Sequence, residues 1–166
     1  MMATYKVLTE PDELLRKISK PVTEFTARLG ELLDDMAETM RLYHGVGLAA
    51  VQVGILWRAC IVAAEDGVCE LVNPTVISAD CPQKGEEGCL SLPKVNGSVM
   101  RMQEVTVRAQ DRTGKFFERK FTGRQAVCAA HEIDHLDGIL FTDRMVKSGG
   151  SSANKSRIPT TRKQTE

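Results

Sequence analysis

Residues 124–138 read RQAVCAAHEIDHLDG, and this stretch decides the fold. It predicts a helix over Arg124–Asp137, ended by Gly138 in a C-cap position. On such a helix His131 and His135 lie one above the other on the same face, so both imidazoles can reach one ion. Glu132 projects beside them and can hydrogen-bond a water at that ion without being a ligand. The neighbours Ala126, Val127, Ala129 and Ala130 are apolar, so this face is expected to be buried against a sheet. Two buried histidines and a glutamate need a chemical reason. The bland alternatives are a chance HExxH, or core histidines satisfied by hydrogen bonds. A chance match arises in on the order of one chain in several hundred. Two of the three histidines of the chain stand in this pentapeptide, which favours the metal.

Strand-like segments precede this helix. Trp57–Ala64 is apolar and predicts a buried strand. Val68–Asn73 and Thr75–Ser78 flank Pro74, which is expected to break the pairing between them. Val105, Val107 and Ala109 alternate with polar residues, Asp111–Gly114 signals a turn, and Lys115–Phe121 returns as a second strand. Toward the N-terminus, Pro11–Leu15 predicts a short helix. Leu29, Leu32, Leu33, Met36, Ala37 and Met40 predict an amphipathic helix from about Thr26 to Tyr43, stopped by His44-Gly45. Helices, then consecutive strands, then one helix is the order of an α+β fold with largely antiparallel sheet.

The chain has 166 residues, which favours one domain. From Lys147 the composition turns to Ser, Gly, Lys, Arg and Thr, so residues 1–146 are expected to form a single catalytic domain and 147–166 a flexible polar tail. Lys plus Arg (22) cancels Asp plus Glu (22), which leaves no footprint for specific nucleic acid binding or an anionic membrane. No apolar run approaches the roughly 18 residues that cross a bilayer, and Met1–Lys6 lacks the apolar region of a secretory signal. Five cysteines, at 60, 69, 81, 89 and 128, are odd in number and lack CxxC spacing, so a reducing compartment fits better than a disulfide framework. Cys60 and Cys128 read as core residues, and Cys69 and Cys81 as incidental loop positions.

A catalytic metal needs a third protein ligand and an open position. His44 is a possible ligand, although a helix C-terminal cap is the simpler role for it. Cys89 is the better candidate, because the setting Gly85–Pro93 (GEEGCLSLP) lets a thiolate sit at the edge of a strand. Taken alone, a cysteine after glycine is more often structural. The third notable segment is Gly45–Gln52 (GVGLAAVQ), whose glycines permit close backbone approach and whose Gln52 amide could donate to an oxyanion. Taken alone, it reads as a tight turn leading into a packed strand. It is not a dinucleotide fingerprint, since the GxGxxG spacing fails at Ala50.

Together these segments resemble the three signature motifs of the peptide deformylases: GxGLAAxQ at Gly45–Gln52, EGCLS at Glu87–Ser91 and HExDH at His131–His135. The resemblance runs from about Tyr5 to Met145, with the motifs in the family's order. It implies antiparallel β-sheets packed around a central HExxH helix. It further implies that Cys89, His131 and His135 hold one divalent metal, with Glu132 as general base and acid. Gln52 and the Leu90 backbone N–H would bind the oxyanion. The metal implied is Fe2+, with Zn2+, Ni2+ or Co2+ also able to occupy the site. A thiolate ligand suits such softer ions and exposes the site to oxidation. The substrate implied is the N-formylmethionyl end of nascent polypeptides, giving formate, in a bacterial cytoplasm or an organelle matrix. Val46 and Val127 are expected to line the methionine pocket and Gly45–Gly47 to pair with the substrate backbone, with ordinary core packing as their other reading.

The sequence departs from the family pattern at Ala130, where glutamine is common, and at Arg124, where an apolar residue would wall the pocket. It also ends in a polar tail rather than a longer helix. That tail holds Lys147, Lys155, Arg157, Arg162 and Lys163 against Glu166, five minus one or +4, which suggests a weak attraction to ribosomal RNA. An HExxH peptidase cutting internal bonds and a non-catalytic relative that binds metal or formylated peptides are the competing readings.

Overall fold

The structure is a computed structural model that describes residues 3–147. Helix α1 spans Ala27–Leu42, and the five strands are β1 Gly47–Ala49, β2 Ala59–Ala64, β3 Gly67–Cys89, β4 Leu92–Gln110 and β5 Phe116–Thr122. Helix α2 spans Gly123–Leu136, and single 3-10 turns occupy Glu13–Arg16, Ala50–Val53 and Phe141–Arg144. The strands form one antiparallel sheet in the order β1-β2-β3-β4-β5.

Alternation along the strands sorts the core into two layers. Leu48, Ala59, Ile61 and Val72 face one side and pack with Leu29, Leu32, Leu33, Met36 and Met40 of α1. Ala49, Cys60, Val62, Cys69 and Leu71 face the other side and pack with Ala126, Ala129, Ile133 and Leu136 of α2. Val105, Val107 and Ala109 of β4 and Phe121 of β5 join that second layer, as the alternation in β4 predicts. Helix α2 touches β1 and β2 at one end of the sheet and β4 and β5 at the other. The sheet therefore curls around α2, which is the α+β arrangement the motifs imply. Each fully buried leucine of these layers contributes roughly 1.5–3 kcal/mol.

Several sequence expectations are corrected. Pro74 does not end a strand: β3 continues through it, with a register shift between Val72 and Thr75. Asn73 takes φ 49° there, and its side chain bonds the Val22 backbone twice and Gln110 once, which holds the bulge. Cys69 is not in a loop but is buried in β3 facing α2, and Cys81 is an exposed strand residue. The N-terminal helix is a single turn capped by Asp12. Strands β2 and β5 begin at Ala59 and Phe116, and α2 begins at Gly123. The C-cap glycine is as expected: Gly138 has φ 72°, and a Cβ there would stand 2.4 Å from the Arg16 carbonyl oxygen.

Candidate active site

Three pieces of chain meet above α2. The β3–β4 hairpin turns at Leu90-Ser91 and places Cys89 at the end of β3. The 3-10 turn after β1 places Gln52, and α2 itself presents His131, Glu132 and His135. Only glycine lets β1 lie this close to the helix. A Cβ at Gly47 would meet Cys128 Sγ at 2.6 Å and Glu132 Cγ at 2.9 Å, and one at Gly45 would meet Leu90 Cδ1 at 2.9 Å.

Cys89, His131 and His135 each offer one donor atom, and these atoms lie within 4.8 Å of one another. Cys89 Sγ stands 3.3 Å from His135 Nε2. His131 gives its Nδ1–H to Glu87 Oε1 at 2.9 Å, which leaves Nε2 facing Glu132 Oε1 at 3.9 Å. Glu87 is in turn gripped by Arg101 through two bonds of 2.9 and 3.2 Å. Arg101 also donates to Asp134 at 2.7 Å, and Asp134 accepts two further bonds from Arg144. A carboxylate behind a histidine fixes its tautomer and orients the other nitrogen.

Two buried polar atoms at this point have no partner among the described residues, Glu132 Oε2 and His135 Nδ1. An unpaired buried polar atom costs about 1–3 kcal/mol, and the one on Glu132, beside the three donors, asks for something the described residues do not provide, whereas His135 meets Cys89 through its other ring nitrogen, Nε2. One thiolate and two imidazoles, with a carboxylate beside them, fit a divalent ion that keeps a position open. The three side chains could therefore hold such an ion. His44 is not part of this cluster; it ends α1 with φ 55° at the rim of the cleft.

The electrostatics of Glu132 and His135 agree with that fit, whereas His131 holds its proton more tightly as long as no cation competes for it. Burial pushes the Glu132 carboxyl up to about 7, against the pull of His131 and Arg101. Burial pushes His135 down to about 3, so it stays a neutral imidazole with a lone pair to give. Burial opposes charge on His131 too, but its contacts with Cys89 and Glu87 outweigh it and raise its proton affinity. Burial also opposes charge on Glu87, yet the hydrogen bonds from His131 and Arg101 hold it below the usual carboxylate range. Burial raises the Cys128 thiol, which remains protonated and donates to the Val46 carbonyl.

Gln52 is almost fully buried and its amide cannot turn. Oε1 accepts the Ala49 N–H at 2.9 Å, while Nε2 donates to Ser91 Oγ at 3.0 Å and lies 3.6 Å from Cys89 Sγ. A cleft of about 860 Å³ opens over this group. Its wall includes Gly45, Val46, Gly47, Gln52, Cys89, Leu90, Val127, His131 and Glu132, so every sequence-predicted site residue reaches it except His135, which lies beneath the floor. Val46 is 66% exposed, which sets core packing aside for it. The sequence did not single out Glu87 as a partner of His131, nor Ser91, Arg101 or Arg144. Glu87 looks like half of a surface acidic pair, and nothing in linear order joins it to residues 101 and 131.

Fold and donor set together define a metal-dependent hydrolase. A model of the polypeptide deformylase family matches residues 4–150, and the chain belongs to that family. A peptide deformylase of Heliobacterium modesticaldum is 51% identical over 144 residues, covering 87% of this chain and 95% of the relative. One from Caldicellulosiruptor bescii is 49% identical over 146 residues, covering 88% of each. The crystal structure of peptide deformylase from Thermotoga maritima superposes with a TM-score of 0.84 at 37% identity, covering 87% of this chain and 99% of that one. The chain is accordingly a hydrolase that removes the N-formyl group from the formylmethionine of nascent polypeptides. The endopeptidase and non-catalytic readings of the HExxH fall away. Among the described residues no helix is long and apolar enough to cross a membrane.

Proposed function

We propose that Cys89, His131 and His135 hold the metal, that Glu132 is the base and then the acid, and that Gln52 and the Leu90 N–H receive the oxyanion. The convergence of the three donors beside the unpartnered Glu132 Oε2 supports this reading more than any other observation. A divalent ion there would supply Lewis acidity and bring the pKa of a water toward neutrality. Glu132, whose carboxyl is raised by burial, takes the proton of the water that attacks the formyl carbon. Gln52 Nε2, held in place by Ala49 and Ser91, and the Leu90 N–H in the hairpin turn meet the charge that develops on the formyl oxygen. One such donor is typically worth about 3 kcal/mol. Glu132 then returns the proton to the leaving nitrogen, the C–N bond breaks, and formate and a free amine result.

Among the described residues strand β1 pairs only with β2, which leaves its other edge for the substrate backbone as an added strand at Gly45–Gly47. Val46 and Val127 then flank the methionine side chain. The family resemblance makes Fe2+ the metal expected in the cell, with Zn2+, Ni2+ and Co2+ as substitutes, and a thiolate ligand suits iron or zinc alike. The compartment proposed is a bacterial cytoplasm or an organelle matrix. The catalytic unit proposed is 1–146. The basic residues beyond Lys147 lie outside the described residues, and the weak ribosomal attraction suggested for them rests on charge alone. Ribosome co-sedimentation that is unchanged on deleting 148–166 would remove it.

The test is formate release from formyl-Met-Ala-Ser by protein loaded anaerobically with Fe2+, with the acetylated peptide as control. Release from the formyl peptide alone is expected. No release from protein shown to carry metal would overturn the assignment.

A further inference from the structure

Arg124 is a charge on the α2 wall of the cleft that neither the fold nor the chemistry uses. It lies on the wall formed by α2, on the same side as Val127, Cys128 and His131, and its side chain is exposed. Of the other charged side chains in the cleft, Lys84 and Glu86 likewise have no ion pair among the described residues but cancel in sign, and the rest have a partner or a role. Arg101 is bound by Glu87 and Asp134, Lys84 and Glu86 are one of each sign on β3, and Glu132 faces the donors. Arg124 has no hydrogen bond or ion pair among the described residues. Its place also runs against helix stability, since a cation in a first turn is opposed by the helix dipole, and α2 has no acidic residue there to offset it.

Position along α2 says what Arg124 can reach. It stands seven residues before His131, roughly 10 Å of axial rise from the reacting end, with Val127 and Cys128 in between. An extended peptide advances about 3.3 Å per residue. A substrate whose formyl group sits at Glu132 and whose chain runs along the cleft toward the start of α2 brings its second or third residue within reach of the guanidinium. We infer that Arg124 is a specificity-determining residue that favours formyl peptides with a carboxylate side chain at the second or third position and disfavours those with a cation there. This rests on the reading of the cleft given above.

The experiment uses the iron-loaded enzyme and C-terminally amidated peptides, so that no terminal carboxylate adds charge. Formyl-Met-Asp-Ser and formyl-Met-Ser-Asp are compared with their lysine counterparts, in the native protein, Arg124→Lys and Arg124→Leu. The ratio of two substrates within one protein is independent of metal loading and folded fraction. The native protein is expected to favour aspartate over lysine by roughly fivefold to tenfold in kcat/KM, carried by KM. The preference should shrink in 0.5 M salt, survive in part in Arg124→Lys and vanish in Arg124→Leu. Equal rates on both members of each pair by the native enzyme would overturn the inference and leave the deformylase reading standing. A preference that persists unchanged in Arg124→Leu would also overturn it. No formate from any peptide would overturn both.

Discussion

Helices α1 and α2 cover opposite faces of the same strands, and they bury very different things. Helix α1 buries Leu29, Leu32, Leu33, Met36 and Met40, and its one buried polar side chain, Thr39, is fully used. The Thr39 hydroxyl donates to the Asp35 carbonyl and accepts the Tyr5 N–H. Helix α2 buries a comparable apolar stripe but adds His131, Glu132 and His135, with one atom each of Glu132 and His135 left unpartnered. Burying a polar group without a partner is costly, so the second pattern persists only where something besides folding uses it. The comparison teaches that a site is marked by polarity that folding leaves unsatisfied, more than by polarity as such.

The largest effect expected is on α2. Glu132→Gln should lower kcat on the formyl peptide by about 10³-fold while bound metal stays at the native level. Metal analysis beside formate release checks this, and surviving activity would mean that another group moves the proton. Next comes the ion-pair chain behind His131. Arg101→Met leaves the buried Glu87 carboxylate without its arginine and Asp134 with Arg144 alone, which should cost roughly 3–5 kcal/mol, and metal affinity should fall about 10- to 100-fold. Denaturant unfolding and metal titration would show both, and a loss of stability with unchanged metal affinity would confine Arg101 to a structural role.

On α1 the expectation is reversed. Leu33→Ala should cost about 2.7–5 kcal/mol of stability, yet activity per folded molecule should not change, because Leu33 is fully buried in the layer away from the cleft. A lowered kcat in the folded fraction would break the contrast between the helices. The smallest effect concerns a surface control far from either helix's interior. Asp143 pairs with Arg16, and although burial opposes it, that contact holds its carboxyl below the ordinary value. A depressed carboxylate stabilises the fold above its unfolded pKa, and the gain is lost as pH falls through the lower folded value. Arg16→Ala should therefore lower Tm slightly at pH 6, with the difference disappearing as pH falls through the lowered value. Both side chains are well exposed, so only a few tenths of a kcal/mol is expected.

The sequence carried the two helices well, since both are long amphipathic runs and α2 holds three of its chemical residues within five positions. Gly45 and Gly47 were legible as places of close approach, and the contacts a Cβ would make there bear that out. What local pattern did not carry was pairing across distance. Pro74 looked like a strand end because the bulge that absorbs it is held by Asn73 reaching Val22 and Gln110, far away in the chain. Cys69 looked like a loop residue although it falls within the strand-like run Val68–Asn73, because nothing in the local pattern shows that its side chain faces α2. Glu87 and Arg101 lie on facing strands of one hairpin, and only the fold shows that both are buried behind His131.

The most direct test of the central claim is the metal bound per chain, measured after anaerobic reconstitution and gel filtration. Native protein should carry about one divalent ion, and Cys89→Ala, His131→Ala and His135→Ala should each carry far less, because three protein donors are the minimum such a site uses. Full occupancy in any of these variants, with its fold intact by circular dichroism, would contradict the account.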